Sequence, residues 1–248
     1  MNGVPWLGTE VWVLPDLAWP LLAVLAVALA LDDTAVGQTW LSQPLPAGIL
    51  AGLACGDLGA GLGVGLPLQL LLVGYLPVGQ TFVGEPVSAV LAGVTALAWA
   101  RAAPGGSGLL PPATLAGWTV VAVAMLSLAG HWVIRMERRL HFLWMLAGHR
   151  SLRDGNDRRI ERLHLRCLAV TALRGLVLTT VWLVLLRLLW LPAAARLPDA
   201  LAAVLPLVPW LAPGLAIGTL IDRYGLRTSG PWLAAGALAA FMVAFLVV

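Results

Sequence analysis

Polar and ionisable side chains that interrupt apolar stretches are where this sequence could do chemistry, because a group cut off from water must find a protein partner or a ligand. Gln69 is the foremost case. It sits in Leu66-Pro67-Leu68-Gln69-Leu70-Leu71, and its primary amide offers two donors and an acceptor, a set suited to a hydroxyl-rich ligand or to a hydrogen bond between two helices. Glu85, between Gly84 and Pro86, is a carboxylate on irregular backbone, able to accept two hydroxyl protons in a cavity or to sit as an ordinary interfacial acid. Asp57 stands where the regular Gly48, Gly52, Gly56 spacing ends. It could cap free N–H groups or face a ligand path, and capping is the simpler role. Asp32 and Asp33 close an apolar stretch, the helix end that is unfavourable to acids, so hydrogen bonding to the Gly-rich segment is expected to hold them. Gln38 and Gln43 are read as structural, with reach to a ligand the alternative for Gln38. Arg174, within a later apolar run, can pair with an acid from the first half or snorkel to the membrane edge.

Other chemistries find no support. His131, His141, His149 and His164 lack the HExxH pattern of a zinc hydrolase, and no GxSxG, Walker A or dinucleotide fingerprint is present. Cys55 and Cys167 have neither metal nor redox spacing. Neither a metal nor another cofactor is expected, and the chain alone is not expected to be an enzyme.

The elements that must position these residues follow from composition. Of 248 residues 60% are hydrophobic and 11% charged, with a mean hydropathy of +0.91, against about 25% charged in average soluble domains. So much apolar surface would not fit one water-soluble core, whereas bilayer spans of about 20 residues absorb it. The expected fold is an all-α polytopic membrane protein forming a single domain over residues 1–248. Soluble enzymes, secreted disulfide scaffolds and nucleic-acid binders are set aside. The net charge of +3 is unevenly spread: six acids precede the first basic residue, Arg101, giving −6 for the first hundred residues and +9 for the rest. Basic residues crowd 135–166, where nine arginines face four acids. The positive-inside rule makes this stretch a cytoplasmic loop.

Spans are expected at 11–31, 113–134, about 167–191, 199–221 and 230–248, with a further apolar segment at 87–100 and an extramembrane turn at 104–107. The N-terminus has no basic n-region or cleavage site, so the first span is read as mature protein. Arg223 and Arg227 fall on the cytoplasmic side by span count, and the C-terminus outside. Gly48, Gly52 and Gly56 suit close helix packing, whereas the alternating Gly59, Gly61, Gly63 and Gly65 suggest broken helix. Residues 59–86 are therefore read as a discontinuous or re-entrant segment, which survives at membrane depth only when protein or a wet cavity surrounds it. Trp12, Trp99, Trp132, Trp190 and Trp232 fall near span ends, as aromatic belts do.

Three stretches together resemble the membrane subunit IIC of the mannose/fructose/sorbose type of bacterial sugar phosphotransferase system. The first is Leu31-Asp32-Asp33-Thr34-Ala35-Val36-Gly37-Gln38, followed by Leu41-Ser42-Gln43-Pro44-Leu45. The second and most specific runs from Gly56-Asp57 through the Gly-rich segment to Leu68-Gln69-Leu70, Gly74, Leu76-Pro77-Val78-Gly79 and Gly84-Glu85-Pro86. The third is Asp154-Gly155-Asn156-Asp157 with Ala172-Leu173-Arg174-Gly175. The chain departs from the family pattern at Gln43, where Arg is usual, at Pro77, where Asn is frequent, and at Val83-Gly84-Glu85 in place of Pro-Pro-Asp. The resemblance implies a permease subunit of the bacterial inner membrane that binds a hexose-like sugar through Gln69, Glu85, Asp57, Asp33 and Gln38. It also implies a homologous membrane subunit IID, soluble phosphoryl carriers IIA and IIB that hold the phosphoryl group, and a trimer of IIC–IID pairs in the bilayer. The departures motivate an alternative, a diverged regulatory or structural module that keeps the fold without coupled transport.

Overall fold

The computed structural model describes residues 17–73, 84–102 and 110–247. Its elements are α1 (Ala18–Thr34), α2 (Pro44–Cys55), α3 (Leu58–Leu71), α4 (Pro86–Ala102), α5 (Pro112–Arg153) and α6 (Asp157–Leu185). A π-helical turn, Leu186–Trp190, joins α6 to α7 (Leu191–Ala194), and α8 (Asp199–Val204) leads through a 3-10 turn into α9 (Val208–Tyr224) and α10 (Leu226–Val247). The described residues contain no strand, as expected for an all-α membrane protein. Three continuous runs, Pro112–Arg153, Asp157–Ala194 and Asp199–Tyr224, are long and apolar enough to cross a bilayer. The expected spans at 113–134, 167–191 and 199–221 fall on helix, as do residues 230–247 of the last, whereas 11–16, the turn at 104–107 and residue 248 lie outside the described residues.

The Gly-rich region differs from expectation. Helices α2 and α3 have 12 and 14 residues, about 18 and 21 Å at roughly 1.5 Å per residue, too short for about 30 Å of hydrocarbon. They form an antiparallel pair joined at Gly56, whose φ of 73° ends α2, and Asp57, which starts α3. Gly59, Gly61, Gly63 and Gly65 lie within regular helix rather than breaking it. The reason is contact: a Cβ on Gly61 would fall 2.3 Å from the Gly48 carbonyl oxygen, and one on Gly48 would fall 2.9 Å from Gly65 Cα. Bare backbones let the helices touch, and that packing offsets the poor helix propensity of glycine. Residues 74–83 of the expected re-entrant segment, including Pro77, lie outside the described residues.

Helix α4 is the core. Val87 to Ala100 are all buried, and α1, α2, α3, α5 and α6 pack around it.

The stretch 135–166 is not a loop. Helix α5 runs on to Arg153, a tight turn follows with Gly155 at φ 61°, and α6 begins at Asp157, capped by Asn156 Oδ1 accepting from the Arg159 N–H at 3.1 Å. Charge locates water but does not dictate the backbone: no proline occurs between Pro112 and Pro192, and Arg and Leu are good helix formers. The adjoining ends of α5 and α6 thus form one helical arm.

Candidate functional site

The polar side chains gather in three places. At the far turn of the α2–α3 pair, Asp57 Oδ1 accepts from the Ala60 N–H at 2.8 Å and so caps α3. Its carboxylate also pairs with Arg101 Nη1 at 3.2 Å. Capping, the simpler expectation, is the observed role. Twelve residues of helix, about 18 Å, separate this turn from Gln69.

The open end of the pair carries the second group. Asp32 Oδ1 accepts from the N–H and the hydroxyl of Thr39, both at 2.7 Å, and Oδ2 from the Ser42 N–H at 3.1 Å. Asp32 thus holds the 35–43 connection rather than the Gly-rich segment. That connection is strained: Gly37, Gln38 and Trp40 have φ of 85°, 49° and 69°, and a non-glycine residue in this region persists only where its surroundings over-determine it. Gln38 is exposed on it. Gln69, half-buried, accepts from the Leu45 N–H at 3.3 Å and donates to Gln43 Oε1 at 3.4 Å. Both bonds are longer than the usual 2.7–3.2 Å, and the Leu45 N–H belongs to the first turn of α2, where Gln43 provides no side-chain cap. That turn, Pro44-Leu45-Pro46-Ala47, has only two N–H groups, and both are used: Leu45 donates to Gln69 and Ala47 to the Gln43 carbonyl at 3.0 Å.

The third group is a buried ion-pair cluster. Glu85 precedes α4 and accepts from the Ser88 N–H at 3.2 Å and the Ser88 hydroxyl at 3.0 Å, while its own N–H donates to the Ser127 carbonyl at 2.8 Å. Arg174 of α6 reaches Glu85 Oε1 with Nη1 at 3.1 Å and Glu137 Oε2 with Nε at 2.6 Å. Glu137 also accepts from the Thr171 hydroxyl. Side-chain exposures of 3% for Arg174, 2% for Glu85 and 7% for Glu137 leave these charges to one another and to Ser88, Thr171 and His141, whose Nε2 lies 3.8 Å from Glu137 Oε1. Such burial is tolerated only when the charges pair and hydrogen-bond well. Asp33, half-buried, lies within electrostatic range of Arg174 and Arg138. Glycines give the cluster room: a Cβ on Gly130 would meet Glu85 Cβ at 2.7 Å, and one on Gly175 would meet the Ala26 carbonyl oxygen of α1 at 2.2 Å. Arg174 Nη2 and Ser127 Oγ, both buried, have no hydrogen-bond partner among the described residues, and the close contact of Arg174 Nε with Glu137 is an ion pair without hydrogen-bond geometry.

The consecutive acids Asp32 and Asp33 join the second and third groups at the end of α1. Of the five residues read as sugar-binding, Gln69 and Gln38 thus belong to the open end, Asp33 and Glu85 to the ion-pair cluster, and Asp57 to the opposite turn. Gln69 and Glu85 share no hydrogen bond among the described residues. Arg174 pairs with an acid from the first half of the chain, one of its two expected fates. Glu137 escaped the sequence reading because it looked like one charge among many. The signal was there in Val120, Val123, Ser127, Gly130, Ile134 and Glu137, which follow helical spacing down one buried face. The described residues hold no group of three His, Cys, Asp or Glu able to bind a metal.

Short packed helices beside longer apolar spans, with a buried charge cluster between them, define a polytopic helical membrane protein. The description "PTS system sorbose-specific iic component" matches residues 18–247. The chain therefore belongs to that family and is a membrane subunit of a sugar phosphotransferase system. No curated protein matches it. Among solved structures, one titled "Structure of membrane protein" is similar with a TM-score of 0.68 at 16% identity, over 94% of this chain and 96% of that one. It shares the fold. The mannose transporter ManYZ in complex with microcin E492 is similar with a TM-score of 0.49 at 17% identity, over 91% of this chain and 86% of that one.

Proposed function

We propose that this chain is the sugar-translocating subunit of its system, carrying a hexose-like sugar across the bacterial inner membrane for phosphorylation by partner subunits. The sugar binds at the open end of the α2–α3 pair. The observation that carries this reading is Gln69: an amide inside an apolar helix, held by two long hydrogen bonds, one of them from the first turn of α2. Sugar hydroxyls can replace both bonds, meeting the Leu45 N–H and the Gln69 amide. Gln38 lies on the adjoining strained connection, and Glu85 and Asp33 flank the site through the charge cluster. Asp57 acts from the far turn by fixing the pair rather than by touching sugar. The partners are a homologous IID subunit in the bilayer and soluble carriers IIA and IIB that bear the phosphoryl group, in a trimer of IIC–IID pairs.

A second reading is favoured by the same bonds. Gln69 and Glu85 both have protein partners and sit in separate networks, as in a regulatory or structural module that keeps the fold without coupled transport. Calorimetry on the chain in lipid nanodiscs, with and without IID, separates the two. The permease reading expects hexose binding that Gln69→Ala abolishes in a folded protein. Absence of binding across candidate hexoses, with IID present, favours the module.

A further inference from the structure

We infer that the exposed face of α5 holds an anionic phospholipid, its phosphate gripped by Arg135 and Arg139 and an acyl chain laid along Trp132, Leu128 and Met125. These residues recur at helical spacing on one face of α5, opposite the buried face of Val123, Ser127, Gly130, Ile134 and Glu137. Met125 is 58% exposed, Leu128 56% and Trp132 68%, and Arg135, Met136 and Arg139 continue the same exposed stripe. The Arg135 guanidinium lies over the Trp132 ring, 5.4 Å from its centroid. That contact holds the cation where the apolar surface gives way to charge. Arg139 follows one turn on, its Cβ about 6 Å from that of Arg135, so the two guanidinium forks can take one phosphate between them.

Depth, side-chain size and charge select this occupant. Helix α5 is long and apolar enough to cross a bilayer, and Trp132 lies about 20 residues beyond its start at Pro112, or about 30 Å at roughly 1.5 Å per residue. That is the thickness of the hydrocarbon core. The break from apolar to basic surface therefore falls where a bilayer changes from acyl chain to phosphate, the level that Trp favours. A second membrane helix is disfavoured by size. Close helix contacts in lipid use small residues, as α2 and α3 do, whereas Met125, Leu128, Trp132 and Met136 would hold a neighbour away. Charge then chooses the headgroup. Between Met125 and Arg150 the only acid is Glu137, buried on the opposite face against Arg174. Nothing on the stripe answers the ammonium of a zwitterionic lipid, while the two arginines match a phosphodiester of net negative charge. The inference goes beyond the transport reading and does not rest on it: it needs only that α5 crosses the bilayer.

The test titrates the whole chain, purified in neutral detergent and stripped of lipid, with phosphatidylglycerol and with phosphatidylcholine, and counts bound lipids by native mass spectrometry. The first phosphatidylglycerol is expected to bind the wild type about tenfold or more tighter than phosphatidylcholine. Arg135→Gln and Arg139→Gln alter exposed positions. Each is expected to weaken that first lipid about fivefold, the effect of one arginine near an anionic headgroup, with phosphatidylcholine binding and the unfolding midpoint unchanged. Arg150→Gln removes the same charge from the same face, but about 22 Å further along α5, and is expected to leave the first phosphatidylglycerol bound as in the wild type. Equal affinity for the two lipids overturns the inference. So does a loss with Arg150→Gln as large as with Arg135→Gln, the mark of diffuse attraction to a basic helix. A dimer that Trp132→Ala splits, with no preference between the lipids, also overturns it, in favour of a second copy on the stripe.

Discussion

Replacing Arg174 by Met removes the guanidinium that pairs with two buried carboxylates. Arg174 touches Glu85 at 3.1 Å and Glu137 at 2.6 Å, and none of the three side chains is more than 7% exposed. Water cannot reach the acids left behind, and Asp33 adds a further negative charge nearby. Removing one partner of a buried pair costs about 3–5 kcal/mol, most of it the penalty of an uncompensated charge rather than the worth of the bond. For a chain of this size that corresponds to a fall of roughly 10 °C in the unfolding midpoint, measured by thermal shift in nanodiscs. If the cause is charge rather than lost packing, neutralising both acids restores stability. The triple variant Arg174→Met, Glu85→Gln, Glu137→Gln is thus expected to recover most of the loss, with a coupling of about 2 kcal/mol or more in the thermodynamic cycle. The reasoning is refuted if Arg174→Met lies within about 1 kcal/mol of wild type, or if the triple variant is no more stable than the single one.

The remaining predictions concern the α2–α3 pair and its connections. Gly61→Val drives side-chain atoms into the Gly48 carbonyl and is expected to abolish folded yield by size-exclusion chromatography, whereas Gly63→Ala, with nothing within 4 Å, is expected to gain up to about 1 kcal/mol from helix propensity. Asp57→Ala loses the α3 cap and the half-exposed bond to Arg101, about 1–2 kcal/mol in all, while Asp57→Asn keeps the cap and loses under about 1 kcal/mol; equal losses in thermal shift would contradict the capping role. Asp32→Ala frees Thr39 and Ser42, and hydrogen exchange over residues 35–43 is expected to speed up while exchange in α4 stays unchanged.

Much of this arrangement is legible in the chain because lipid imposes few solutions. Apolar length alone marks the spans, and the four-residue spacing of Gly48 and Gly52 marks a close helix contact. Asp57 is readable as a cap from its place at the end of that spacing. The alternating glycines mislead because propensity is local, while the contact that rescues helix α3 comes from α2. The arginine-rich stretch misleads for a related reason: its charges record exposure, and exposed backbone here is still helical. Glu137 and Arg174 lie 37 positions apart, so only the packing of α5 on α6 makes them a pair. The stacked Trp118 and Trp190, whose indole N–H groups donate to each other's carbonyls at 3.1 and 3.0 Å, are likewise invisible without the π-helical turn that aligns them. Sequence spacing reports neighbours along one helix, and the site is made between helices.

Transport itself is the most direct test of the central claim. Proteoliposomes containing this chain and IID, supplied with phosphorylated IIA and IIB on the arm's side and a radiolabelled hexose on the other, report accumulation of sugar phosphate inside. The account predicts phosphorylated hexose that requires this chain and falls to background with Gln69→Ala. Accumulation that is equal with and without the chain, or undiminished in a folded Gln69→Ala variant, would contradict it.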